Sequence, residues 1–201
     1  MNKLIENSLV RLQSSEFILD REIAPTRLEV RNAVLLFTNF AGVANRFGNT
    51  SKNFNIVISD FLLDIFVAEA KRKGLNVHIH QYGGKEEDEP VLNYINVKVN
   101  MDPEKVLYPP TVTLYTNKQG GGRSHTTLTN ETVGCLDRAD IERADCIINI
   151  KESKARPGWA VFYLSKLNVI QNIIPEFGGA YEDWDDPADD PTPDLEERQG
   201  N

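Results

Sequence analysis

From Arg27 onward the chain is a succession of short segments rich in β-branched and aromatic residues, cut apart by clusters of Gly, Pro and Asn, and this punctuation constrains the fold most. Residues 27–37, 54–59, 75–81, 91–99, 111–116, 144–151 and 159–170 read as strands, about seven in all. One helix interrupts them over 60–73. It has Asp60 as cap, Leu63, Phe66, Val67 and Ala70 at steps of three and four, basic residues in its last turn and Gly74 beyond. A second short helix or turn is expected over 130–136. Many strands with one or two helices predict a mainly β domain, a small closed or partly closed barrel. The pattern alone leaves a sandwich open.

Two segments flank this body. Residues 1–26 carry Leu4, Ile5, Leu9, Val10 and Leu12 at near-helical spacing and stop at Pro25, as an N-terminal extension would. Residues 176–201 hold ten carboxylates against one Arg, a net charge of −9. From Tyr181 on, acids and prolines replace aliphatic residues, so the tail cannot bury enough apolar surface to offset its ordering entropy and is expected to be disordered. The whole chain has a formal charge of −8, which argues against a nucleic-acid partner until the tail is separated. Residues 1–175 then hold 21 basic and 20 acidic side chains, net +1. The folded body is expected over 27–175.

Cys135 and Cys146 are too few for a disulfide framework and lack zinc-site spacing, so both are expected as buried free thiols. No apolar run is long enough to span a bilayer and no secretory leader is apparent, which predicts a soluble intracellular protein without membrane partners. The loops 83–90, with four consecutive acids after Lys85, and 117–123, with three consecutive glycines, read as surface excursions.

Alternation within the strands separates a core face from an outward face. In 91–99, Val91, Ile95, Val97 and Val99 share one side with Asn93 as the exception, while Leu92, Tyr94, Asn96 and Lys98 share the other. In 111–116, Val112 and Leu114 point inward and Tyr115 outward, followed by Lys118 and Arg123. Outward rings beside cations suit a single-stranded nucleic acid, whose bases stack on aromatic faces while its phosphates meet Lys and Arg. Phe40, Arg46, Phe47 and Lys52 interleave rings and cations across a turn containing Gly42 and Gly48, and Lys151, Lys154 and Arg156 precede Trp159 at a Pro157-Gly158 turn. Phe54 and Phe162, flanked by aliphatics, read as core instead.

His78 and His80 fall on one face of a strand, as metal ligands sometimes do, but no third ligand lies near and Tyr82 continues that side as a polar edge. Asp137, Asp140 and Glu142 read as loop residues. No nucleophile triad, phosphate-cradling loop or dinucleotide fingerprint occurs, so no catalytic residue, metal or cofactor is assigned.

Several short blocks occur in a recognisable order. They are Asn39-Phe40-Ala41-Gly42 with Lys52-Asn53-Phe54-Asn55, Tyr94 to Asn100, Leu128 to Asp137, Ala144 to Asn149, and Phe162-Tyr163-Leu164. Over about residues 31–170 the chain resembles the single-stranded DNA-binding proteins of bacteriophages. The resemblance implies an OB-fold barrel and a non-enzymatic, sequence-non-specific binder of single strands in phage replication, recombination or repair, acting in the host cytoplasm. It also implies an acidic tail that competes for the DNA groove and recruits phage or host proteins. In that tail, Tyr181, Asp183, Trp184, Asp185, Asp186, Asp189 and Asp190 are the expected contacts. The sequence ends Arg198-Gln199-Gly200-Asn201, without the apolar tip used for docking by bacterial relatives. The alternative is an acidic protein-interaction or DNA-mimic module in which the tail is the active surface. A metal-dependent nuclease built on His78 and His80 is a third possibility.

Overall fold

In the computed structural model, residues 3–19, 27–84, 90–117 and 123–172 are described. The tail residues named above, and Lys118, lie outside them. The elements in order are α1 (Lys3–Leu12), β1 (Glu16–Leu19), β2 (Arg27–Arg31), β3 (Leu35–Asn39), β4 (Asn53–Ile58), α2 (Asp60–Arg72), β5 (His80–Gly83), β6 (Val91–Lys98), β7 (Thr111–Asn117), β8 (Arg123–Leu128), a 3-10 helix (Val133–Asp137), β9 (Ile141–Glu152) and β10 (Ala160–Gln171).

The ladders run β2–β9–β10–β6–β4–β3. Their two ends are the same stretch of chain. β2 and β3 are halves of one strand bent at residues 32–34, where Asn32 adopts a positive φ of 50°. Hydrogen bonding continues through the bend. Ala33 N–H donates to Ala144 on the β9 side at 2.7 Å, and the next carbonyl, that of Val34, accepts from Val57 of β4 at 3.1 Å. The bend therefore closes five strands into a ring, with β10 parallel to β6 and the other neighbours antiparallel. This is the five-stranded Greek-key barrel of the OB-fold. Alternate residues from every barrel strand meet inside, including Leu28 and Val30, Phe54 and Ile56, Ile95 and Val97, Cys146 and Ile148, and Phe162 and Leu164. Each large apolar side chain so enclosed contributes about 1.5–3 kcal/mol.

Further strands extend the barrel. β1 pairs with β2, β5 with the first half of β6, and the β7–β8 hairpin with the second half of β10. A register irregularity between Leu164 and Lys166 marks where β10 passes from one partner to the next. β1 and β8 are not apparent in the sequence pattern. Residues 75–79 keep the expected alternation, with Leu75, Val77 and Ile79 against the core, but make only an isolated bridge, Asn76 to Trp159, before β5 begins. The helix expected at 60–73 is α2, although its cap position is Ser59, not Asp60. The Asp60 carboxylate is instead engaged by Asn93 Nδ2 at 2.7 Å, which also satisfies the one polar residue on the inward side of β6. Gly74, at φ +73°, lets the chain reverse after α2. The turn expected at 130–136 is the 3-10 helix, which delivers Val133 and Leu136 to the core. Cys146 is buried as expected, but Cys135 is exposed, because the 3-10 helix turns it away from the barrel.

The N-terminal extension is a second layer. Ile5 of α1 is fully buried among Val34 of the bend and Leu36, Val57 and Leu92 on the outer surface of β3, β4 and β6. Leu9, Leu12 and Tyr82 border this cluster.

Candidate nucleic-acid interface

Beyond the patch under α1, the outer surface changes character. Cross-strand register sets Asn55 opposite Asn96 and Asn53 opposite Lys98 on β4 and β6, then Lys98 opposite Tyr163 on β10. The amides bond to one another: Asn96 Nδ2 donates to Asn55 Oδ1 at 2.9 Å and to Asn53 Oδ1 at 3.2 Å. Asn55 Nδ2 in turn donates to the Leu36 carbonyl at 3.2 Å. Mutually satisfied amides cost the sheet face little whether half-exposed, as Asn53 and Asn96 are, or buried, as Asn55 is.

A row of rings crosses this face. The Phe37 ring meets Tyr82 edge-on at 5.1 Å and Tyr94 at 5.8 Å. Tyr94 stacks on His80, its register partner in β5, at 5.3 Å with 14° between planes. His80 meets His78 at 4.3 Å, and His78 approaches Trp159 at 6.4 Å. The row ends at Arg156, whose guanidinium lies 3.7 Å from the Trp159 ring centre. Beside it, Lys98 and Lys151 approach the Tyr163 ring at 6.0 and 5.8 Å. Burial, and after it the neighbouring His78, lower the His80 pKa from its ordinary value. Phe37 enters the row through its backbone. Its φ of 47° and the irregular β3–β4 register between Leu36 and Asn39 take it out of strict alternation, leaving it 46% exposed.

The loop between β3 and β4 is fastened at its base. Both Asp137 carboxylate oxygens accept backbone N–H groups there, from Phe40 and Ala41, each at 2.8 Å. This engagement is why Asp137 belongs to the scaffold. Gly134 permits the contact, since a Cβ there would meet Ala41 at 3.1 Å. Pulled inward, Phe40 is fully buried and stacks on Phe54 at 5.3 Å, which corrects its assignment as a DNA contact: its face is already covered. At the loop tip Asn45 Oδ1 accepts from the N–H groups of Phe47 and Asn49, and Phe47 stands 78% exposed with the Arg46 guanidinium 4.7 Å from its ring centre. Lys52 Nζ donates to the Asn130 carbonyl.

The structure thus gathers Tyr94, Lys98, Lys151, Arg156 and Trp159 on or beside one face. Lys154 is exposed in the same β9–β10 turn as Arg156. Tyr115 does not join them. It pairs across the ladders with Ile170 and packs near His125, seven residues along β10 from Tyr163, or roughly 23 Å at strand spacing. Arg123 accompanies it and donates to Asn117 Oδ1 at 3.1 Å. The sequence reading passed over Phe37 and Tyr163 as site residues. Tyr163 carries a legible signal, an outward position in alternation with Phe162 and Leu164, whereas Phe37 carries none. Among the described residues no group of three or more His, Cys, Asp or Glu is placed to hold a metal.

A family model described as "Putative phage ssDNA-binding domain" matches residues 20–171. Among solved structures, a single-stranded DNA-binding protein from bacteriophage Enc34, in a C-terminally truncated form, is similar at 9% identity and a TM-score of 0.44, over 79% of this chain and 97% of that one. No curated protein matches.

Proposed function

This chain belongs to the phage single-stranded DNA-binding domain family, and on that premise we propose that it binds single strands without sequence preference along the outer face of β3, β4, β6 and β10. The observation that carries this reading is the continuous row Tyr82, Phe37, Tyr94, His80, His78 and Trp159 on an otherwise polar sheet face. Bases stack on such rings at about 1–3 kcal/mol each whatever their identity. Lys98, Lys151, Lys154 and Arg156 border the row, and the β3–β4 loop offers a further ring and cation in the exposed Phe47 and Arg46. Strand faces and loops of this kind are where OB barrels take oligonucleotides.

With a body of net charge +1, stacking carries a larger share of affinity than counterion release. Holding bases on rings is a protective, non-enzymatic task, suited to phage replication, recombination or repair. Residues 176–201, at net −9, act as a tethered electrostatic competitor for the cationic side chains and as a handle for partner proteins.

Fluorescence titration with labelled oligo(dT) and with duplex DNA tests the reading. Oligo(dT) should bind and duplex should bind far more weakly; binding of neither would favour the acidic interaction module. Removing residues 176–201 should tighten oligo(dT) binding at low salt and less so at high salt. Unchanged affinity at low salt would dismiss the tail as competitor.

A further inference from the structure

The ring face opens at one end into a polar cleft of about 420 Å³, within the roughly 300–1,000 Å³ range of small-molecule sites. Its walls come from the end of the β3–β4 loop, the end of β6 and the turn that follows, and from Asn130 and Tyr163. These walls are tied together. Val99 N–H donates to the Lys52 carbonyl at 2.9 Å, and Lys52 Nζ bridges to the Asn130 carbonyl. Asp102 organises the turn, accepting the Glu104 N–H on its side chain at 3.0 Å, while its carbonyl accepts from Lys105 and Val106 at 3.1 Å each.

Three lysines line the cleft, Lys52, Lys98 and Lys105, against the single acidic residue Asp102, which pairs with Lys105 at 2.9 Å. Local charge is therefore +2 on a body whose overall charge is +1. Asn100 and Asn130 add polar groups, and the Tyr163 ring, already flanked by Lys98, forms the border with the ring face.

Resting on the proposed single-strand function, we infer that this cleft is a subsite for one nucleotide unit of the bound strand, its phosphate held among Lys52, Lys98 and Lys105 where the strand leaves the ring face. Asp102 acts against it: it occupies Lys105 and repels the phosphate. The arrangement gives the strand a path that joins the ring row at Tyr94 to the cleft beside Lys98 and Tyr163.

The assignment makes opposite predictions for two neighbouring residues. Lys105→Glu should weaken oligo(dT) binding roughly ten-fold at low salt and lower the salt slope by about 0.7, the equivalent of one phosphate contact. Asp102→Asn keeps the side-chain oxygen that caps the turn and should tighten binding about two- to five-fold. Lys71→Glu, on the exposed side of α2 and away from the cleft lining, controls for total charge. If Lys71→Glu weakens binding as much as Lys105→Glu, or if both cleft variants titrate like the native protein while Tyr94→Ala still loses affinity, the cleft is off the strand's path and the inference is overturned. If the native protein fails to bind oligo(dT), the proposed function itself falls. Competition with dTMP and inorganic phosphate separates the sources of the chemistry: neither should displace the oligonucleotide at micromolar concentration. Displacement by dTMP at that level would make the cleft a free-nucleotide site instead.

Discussion

The outer surface of β4 and β6 is one sheet face with two chemistries. Near one end stand Val57 and Leu92, joined by Val34 and Leu36, and α1 lies over them with Ile5 completely buried. Toward the other end stand Asn53, Asn55, Asn96 and Lys98, with amides bonded to each other, where among the described residues α1 makes its sheet contacts at the aliphatic end instead. Tyr94, the register partner of Val57, marks the border. The difference teaches that outward residues on a barrel strand report what covers them. Aliphatic side chains there require a second layer to leave water, whereas self-satisfied amides and half-buried rings keep a face open for a ligand that brings its own apolar surface.

The comparison can be broken at either end. The largest effect is expected from Ile5→Ala, which should cost about 2–4 kcal/mol of stability in urea unfolding, as large-to-small core changes do. Its oligo(dT) affinity should stay within about two-fold, since the loss belongs to the covered half. A collapse of affinity in folded Ile5→Ala protein would show that the halves are not separable. Tyr94→Ala should do the reverse, lowering oligo(dT) affinity roughly 5- to 150-fold, the equivalent of about 1–3 kcal/mol for one lost stacking partner. An unaltered titration would remove Tyr94 from the interface. Lys98→Gln should lower the dependence of log affinity on log salt by about 0.7.

The smallest effect concerns His80. Burial and its neighbour His78 lower its pKa in the free protein, and an approaching phosphate would raise it, so binding takes up a proton. Affinity should therefore rise about two- to three-fold as pH falls from about 7.5 to about 5.5, and His80→Gln should flatten that profile. Folding stability responds in the opposite sense. The folded pKa lies below the unfolded one, so the contribution of neutral His80 is present above about 6.5 and is lost as pH falls from there toward the folded value.

Much of this was readable from the chain because alternation is a local signal. The split of β6 from Asn93 onward into core and outward residues and the span of α2 follow from side-chain order alone, whereas Val91, read as core, is exposed at the start of the strand. β8 escaped because Arg-Ser-His-Thr-Thr-Leu has no apolar alternation; its ladder to β7 holds it in place with most side chains exposed. Phe40 and Phe47 flank the same glycine-containing turn and look alike in sequence, yet one is core and the other exposed. What separates them is Asp137, almost a hundred residues later in the chain, drawing the Phe40 and Ala41 amides inward. Phe37 was missed for the opposite reason: its left-handed backbone breaks the period on which the reading depends.

The bend at residues 32–34 also bears on how the protein is made. Closing the ring joins β2 to β9, and Asn32 N–H meets the Asp145 carboxylate across 113 residues of chain. On a ribosome, which releases the chain from its N-terminus, β2 is synthesised long before the strand that completes it. Contacts of such sequence separation form slowly. Until β9 emerges, β2 has an unpaired edge, and β1, which follows α1 directly and pairs with β2 through Glu16–Leu19, is available to shield its other edge. The strand made first is thus also the one that covers β2 on the side β9 does not.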